Sequence, residues 1–410
     1  MRQSVLFPKT RKDAPKDAES INHKLLVRGG FIDQLMSGSW TLMPLGLRVV
    51  TKINQIIREE MNAIGGQEML MPLLHPKELW SETGRWDKAD EIMYKLIDTR
   101  KKEYVLSFTH EEIVMDLLRK NITSYQDLPL AVYHFSTKFR NEPRARSGIL
   151  RGREFMMKDL YSAHVSEKDM MEYYEKVKGA YSKIFTRLGF NFKVVEASGG
   201  VFTDKHTHEF QVLNANGEDT IFACDKCDYA VNKEIFDGKA GETCPECKKG
   251  KIEELPGLVE VGNIFPLGTW YAERMRVYFA DKDGGKKPVW FASYGIGPTR
   301  VMGALVEVNN DEKGIIWPKT VTPYEVHLLE LPGAKNIKKV YEELTEKNID
   351  VLWDDRVVGA GEKFADADLI GIPTRLIVSE RNGDKIEWKE RTSDTTELLS
   401  LDEIISKLES

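Results

Sequence analysis

Apolar residues recur at helical spacing through GLRVVTKINQIIREEMNA, residues 46–63, where Leu47, Val50, Ile53, Ile56, Ile57 and Met61 would share one face. Gly65 and Gly66 stop that helix. The run QEMLMPLLHP that follows is strand-like and ends at Pro72. Segments 103–108 and 130–136 also have strand character, as does the start of FRNEPRARSGILRGREF, residues 139–155. Residues 166–187 predict a long amphipathic helix. VEVGNIF, MRVYFAD and VWFASYG predict strands leading into GIGPTRVMGALVEVN, a glycine turn that opens into an apolar helix. The pattern changes at IIWPKTVTPYE, with Pro318 and Pro323. Beyond it, EVHLLEL, VLWDD and PTRLIVS are strand-like, residues 335–347 and 360–370 are helical, and LDEIISKL is a closing helix. Such alternation builds a small α/β domain on a partly parallel sheet. The expected fold is therefore α+β with many antiparallel strands over 1–318, then an α/β domain over 322–410.

Composition narrows the class. A chain of 410 residues allows two or three domains, and 41% hydrophobic with 30% charged residues is ordinary for a soluble globular protein. No apolar run is long enough to span a membrane. The basic N-terminus lacks an apolar core and carries Asp13, Asp17 and Glu19, which argues against a secretory or mitochondrial leader and for the cytoplasm. The net charge of −6 means that any RNA contact must come from local basic patches. All four cysteines fall in two CxxC pairs, which leaves none for a disulfide framework.

Against that acidic background, residues 139–155 hold five arginines. Arg140 and Glu142 alternate on a strand and point to one face. Arg151 and Phe155 follow after a loop. Guanidinium for phosphate, carboxylate for an amino group and a ring for a base suit a nucleotide; a solvated charged face is the plain alternative. In GIGPTR, Gly295 and Gly297 permit a tight turn, and Arg300 falls in the first turn of the helix, where an anion is favoured. A glycine turn before a buried helix is also common. Cys224, Cys227, Cys244 and Cys247, with sixteen residues between the pairs, fit a tetrahedral structural Zn²⁺ in a ribbon-like insert over 222–255; reduced cysteines or two redox pairs are the alternative.

Taken together, the arginine stretch and GIGPTR resemble motifs 2 (139–161) and 3 (295–307) of the class II aminoacyl-tRNA synthetases, with motif 1 at 46–72. The segments TLMPLGLRV, HPKELWSETGRW, THEEIVMDLLR, LRGREFMMKDLYSAH, VEVGNIFPLGTWY and SYGIGPTR sharpen the likeness to the bacterial branch of the prolyl-tRNA synthetase family. AGEKFADADLIGIPTRLIV is similar to the anticodon-binding domain of that branch. The resemblance implies a catalytic domain, a homodimer formed through motif 1, and ATP-dependent attachment of L-proline to tRNA(Pro) through prolyl-adenylate, with ATP, Mg²⁺ and structural Zn²⁺. Arg140 and Arg300 would be catalytic. Arg140 would grip the α-phosphate beside the proline carboxylate, Glu142 the adenine amino group, and Arg151 with Arg300 the terminal phosphate. Phe155 and Arg300 would sandwich adenine. Thr109 and Glu111 would bind the proline amine; Thr109 also reads as a helix N-cap. Met157, Tyr161 and Phe265 would line the ring pocket, with Asn263 on its wall. Arg144 and Arg146 would meet the tRNA acceptor end. Asn263 and Pro266 stand where bacterial members usually show histidine and glutamine, both expected beside the substrate. Only a few dozen residues beyond the core separate motifs 2 and 3, so the inserted editing domain of many bacterial members is expected to be absent. The alternatives are a class II synthetase for another small amino acid and a non-catalytic, RNA-binding paralogue.

Overall fold

The protein is described from a computed structural model, which covers every residue except 146, 201–205, 215–216 and 410. Its contacts divide into two compact units. One comprises Met1–Leu35, Thr41–Lys52 and Leu305–Ser410; the other comprises Met36–Trp40 and Ile53–Ala304.

The second unit is built on a nine-stranded sheet. At its centre, Ile252–Gly268 pairs antiparallel with Trp290–Ile296, which pairs antiparallel with Glu154–His164, which pairs antiparallel with Leu130–Phe139. The short strand Gln67–Glu68 adds in parallel at the edge. Pro266 has no N–H for the ladder, and the register slips between Pro266 and Gly268. The helix Glu167–Arg187 covers one face of the sheet and buries Met170, Tyr174, Val177, Ala180, Tyr181, Ile184 and Phe185 at helical spacing. Ser166 caps it, its hydroxyl accepting from the Asp169 N–H at 3.2 Å. The other unit holds a five-stranded sheet in which Val326–Glu330 runs parallel to both Val351–Asp354 and Thr374–Val378. Ile386–Glu390 and Glu397–Leu399 extend it antiparallel. The helices Ile337–Glu346 and Leu401–Glu409 supply Val340, Leu344 and Ile404 to its core.

Four expectations change. The strand expected to carry Arg140 and Glu142 on one face ends at Phe139, which leaves both in the following loop. The strand expected to reach Pro72 stops at Glu68, and Leu74–Pro76 joins a separate three-stranded sheet. The Pro72 carbonyl is instead taken by the rings of His75 and His110, at 2.8 and 2.9 Å. Leu47 is 51% exposed, while Val50, Ile53, Ile56, Ile57 and Met61 are buried as expected and Leu45 and Val49 join them, so the apolar stripe holds except at Leu47. MRVYFAD keeps only Tyr278–Ala280 as strand, because Trp270–Met275 is helical and ends at Arg276 in the left-handed region.

Candidate active site

Three adjacent strands floor a cavity of about 510 Å³. Alternation on Glu154–His164 turns Phe155, Met157, Asp159 and Tyr161 into it. The strand Ile252–Gly268 adds Val261, Asn263 and Phe265, and Trp290–Ile296 adds Ser293 and Gly295. Thr109 and Glu111 close one part of the wall; Arg140, Glu142, Arg151 and Arg300 also line it.

Around Thr109 the wall is rich in hydrogen-bond acceptors. Glu111 is 2% exposed, and its Oε2 accepts from Arg85 at 3.1 Å. Its Oε1 accepts from the Thr109 hydroxyl at 2.8 Å. His110, not Thr109, is the N-cap of the helix Glu111–Asn121. The Tyr161 hydroxyl donates to Asp159 at 2.8 Å and accepts the His110 N–H at 2.9 Å. Both hydroxyl protons are thus committed to carboxylates, which leaves oxygen lone pairs as what the wall offers a ligand.

The arginines are held differently. Arg140 follows the strand Leu130–Phe139, and its guanidinium sits 5.3 Å from the centroid of Phe155. Its Nε is buried without a partner among the described residues. Burial, followed by the charge of Arg300, lowers its pKa. Arg300, in the first turn of Pro298–Val308, donates from Nε to Leu150 O at 2.7 Å and from Nη1 to Glu260 Oε2 at 3.3 Å. Arg151 donates to Glu142 at 2.8 Å and to Glu218 at 3.2 Å, so two of the expected ATP contacts are tied to one another. Arg144 is exposed and outside the cavity lining; Arg146 lies outside the described residues.

Comparison with known proteins decides the family. Residues 94–309 match the tRNA synthetase class II core domain (G, H, P, S and T), and residues 325–410 match the anticodon binding domain. The proline--tRNA ligase of Persephonella marina is 35% identical over 563 residues, covering 98% of this chain and 99% of the relative. That of Sulfurihydrogenibium sp. is 35% identical over 561 residues, covering 100% of this chain and 99% of the relative. The chain belongs to the proline–tRNA ligases. A prolyl-tRNA synthetase from Cryptosporidium parvum, solved with L-proline and AMP, shares the fold, with a TM-score of 0.76 at 18% identity over 95% of this chain and 74% of that one. Both alignments with proline–tRNA ligases run past 560 positions while this chain has 410 residues, so a long internal stretch of those relatives has no counterpart here.

The cavity gathers every expected ATP and proline residue: Thr109, Glu111, Arg140, Glu142, Arg151, Phe155, Met157, Tyr161, Asn263, Phe265 and Arg300. Pro266 does not line it; it pairs with Ala292 on the other side of the alternation from Phe265. Asn263 points its Nδ2 at Glu209 Oε1, 3.3 Å away. Sequence reasoning missed Arg85, Lys138 and Asp159. Arg85 beside Trp86 in ELWSETGRW and Asp159 within the apolar run of MMKDLY were the available signals; Lys138, in STKFRNE, had none.

The cysteines also meet. Cys224 Sγ lies 3.7 Å from Cys247 Sγ, and Cys227 Sγ lies 3.6 Å from Cys244 Sγ. Four sulfurs at about 2.3 Å from a tetrahedral Zn²⁺ would sit about 3.8 Å apart. The N–H groups of Lys226 and Gly250 donate to Cys224 and Cys247. Backbone N–H groups of Lys249 and Gly250 bring the Cys247 thiol down to about 6. A Cβ on Gly250 would collide with Cys224 Sγ, so this close approach requires glycine. The donor set fits zinc.

Proposed function

We propose that the chain activates L-proline with ATP and transfers it to tRNA(Pro). The observation that carries this reading is one cavity holding both a buried, unpartnered Arg140 Nε and an acceptor-lined wall at Thr109, Glu111 and Tyr161. The first calls for an anion, because a buried donor left without an acceptor costs ~1–3 kcal/mol. The second suits an ammonium whose only polar hydrogens are donors. A zwitterionic amino acid and a polyphosphate supply both.

In this reading the proline ammonium donates to Glu111 and Thr109, with its ring against Met157 and Phe265. Its carboxylate and the ATP α-phosphate share Arg140. Phe155 and Arg300 stack on adenine, Glu142 takes the adenine amino group, and Arg151 moves from its carboxylate partners to the terminal phosphate. The carboxylate attacks the α-phosphorus and pyrophosphate leaves; the terminal ribose hydroxyl of the tRNA then attacks the acyl carbon and AMP leaves. Preorganised guanidinium groups and positioning supply the catalysis. Glu218, Asp219 and Glu260 line the cavity with hard oxygen donors and would hold Mg²⁺, which supplies charge neutralisation on the phosphates. Burial and then Glu260 push the neighbouring Glu209 carboxyl up to about 8, a sign of the negative charge crowded there.

The remaining assignments are part of the same proposal. The catalytic domain spans 1–318, with a zinc ribbon inserted at 222–255, and the anticodon-binding domain spans 322–410. Arg144 and Arg146 meet the acceptor end of the tRNA; the exposure of Arg144 supports its share. The ligase works in the cytoplasm as a homodimer paired through motif 1, which the exposed Leu70 supports. Proline-dependent ATP–pyrophosphate exchange tests the core of this reading. Arg140→Ala and Arg300→Ala should each lower the exchange rate by about 100-fold or more; near-normal exchange in either refutes the assigned roles.

A further inference from the structure

Next to the cavity, which Asp159 also lines, three side chains of metal-ligand type, His110, His134 and Asp159, converge in the buried interior. Their centre is occupied by an ammonium. Lys138 Nζ lies 2.8 Å from His110 Nδ1, 2.9 Å from His134 Nε2, 2.7 Å from Ser136 Oγ and 2.8 Å from Asp159 Oδ1. The ammonium donates to His110 Nδ1 and Ser136 Oγ and pairs with Asp159 Oδ1; His134 Nε2 lies 2.9 Å from the same Oδ1 and is that oxygen's second neighbour. The tautomer of His110 agrees with this arrangement. Its Nε2 faces the Pro72 carbonyl and carries the proton, which leaves Nδ1 to accept from Lys138.

Lys138 does not touch the cavity, but the chain of contacts that starts at it does. Asp159 presents Oδ1 to the ammonium and Oδ2 to the Tyr161 hydroxyl. Tyr161 then receives the His110 N–H on one lone pair and keeps the other on the side of Thr109, 3.3 Å away. The Thr109 proton is already given to Glu111. Each step fixes the direction of the next, and the result is a wall that accepts and does not donate. With the ammonium removed, Asp159 would keep only the His134 and His110 rings, 2.9 and 3.6 Å away, and no permanent cation; a buried carboxylate in that position is strongly disfavoured and would take up a proton. Protonated, it could donate to Tyr161 and turn the phenol proton toward the ligand, where it would repel an ammonium.

We propose that Lys138 is a positioning residue that sets the donor–acceptor polarity of the amine-binding wall by holding Asp159 as the acceptor for the Tyr161 hydroxyl. The proposal rests on the reading that Thr109 and Glu111 receive the proline ammonium, and the controls separate the two. Dissociation constants for proline and for ATP are measured separately by calorimetry on the full chain. Lys138→Met should weaken proline about tenfold or more, the worth of one hydrogen bond to a charged group, and leave ATP unchanged. Tyr161→Phe should weaken proline as well, and adding Lys138→Met to it should cost little more, because both act through one hydroxyl. A purely structural role predicts loss of both ligands, or losses that add in the double variant; either result overturns the proposal. If Lys138→Met keeps normal proline affinity while Glu111→Gln abolishes it, the polarity argument fails and the amine site stands. If Glu111→Gln leaves proline binding intact, the amine site itself is wrong and this proposal goes with it. Should Lys138→Met not fold, unchanged proline affinity in Tyr161→Phe is enough to overturn it.

Discussion

His75, His110 and His327 are buried, and burial is the first cause that lowers their pKa values, to about 4, about 2 and about 3. Each would titrate near 6.5 in the unfolded chain. Above that pH both states hold the neutral ring and nothing is lost. As pH falls below 6.5 the unfolded chain takes up protons that the native state refuses, so stability drops until the folded value is reached. For His75 the loss by pH 4 is on the order of 3 kcal/mol. Urea unfolding at pH 7, 6, 5 and 4 should therefore show a declining midpoint, and His75→Gln should flatten part of the decline. An unchanged slope in that variant would remove His75 as a cause. The arginine stretch teaches a related lesson about single residues. One sequence run places Arg140 with a buried free Nε, Arg151 between two carboxylates, Arg144 in solvent, and Arg153 as a donor to the main-chain carbonyls of Glu142 and Ser37, at 2.9 and 3.1 Å. Charge alone could not separate these environments. Period-2 alternation could not either, because all four arginines lie between the strands Leu130–Phe139 and Glu154–His164; it assigns faces only from Phe155 onward.

At the scale of elements, the insert carries its own prediction. Cys224 ends the strand Asp219–Cys224, whose first residue lines the cavity. Five residues of strand put about 17 Å between them. Zinc bound there would stabilise the insert without touching the reactants, so Cys224→Ser with Cys227→Ser should abolish metal binding and lower the melting temperature. Proline-dependent exchange should largely survive. One zinc per chain in the parent protein and none in the variant, by atomic emission, is the check; full zinc content in the variant sinks the assignment. The elements that sequence could reveal were those with a strong period: the helix at 167–187, the strands of motif 2, and the parallel core strands at 326–330, 351–354 and 374–378. What it missed depends on long-range partners. Leu47 faces outward although its neighbours at the same spacing are buried, and only packing determines which edge of an apolar stripe is covered. The strand expected up to Pro72 ends early because two histidine rings, one of them 38 residues away, claim the Pro72 carbonyl. Lys138 and Asp159 look like solvated charges in sequence and are 0% and 3% exposed, joined across neighbouring strands by a register that no local pattern shows.

At the scale of the whole molecule, the missing internal stretch relative to the longer proline–tRNA ligases bears on fidelity. In the proposed arrangement the cavity would distinguish proline from alanine by ring methylenes lying against Met157 and Phe265. Each methylene is worth only ~1–3 kcal/mol in a hydrophobic pocket, so rejection by binding alone reaches roughly 10² to 10⁴. The amine wall adds little discrimination, because a primary ammonium brings a third N–H to a surface that already has a spare Tyr161 lone pair. Alanine should therefore support slow but measurable ATP–pyrophosphate exchange, with kcat/KM about 10²- to 10⁴-fold below proline. The expectation for a chain that lacks that stretch is that it does not remove the product. Preformed alanyl-tRNA(Pro) incubated with the purified enzyme should decay at the rate of the buffer control. Enzyme-dependent deacylation well above that control would show a clearing activity in this chain and would overturn the expectation. Alanine exchange below detection would place the discrimination in the shape of the Met157–Phe265 wall, at a strength that methylene contacts do not supply.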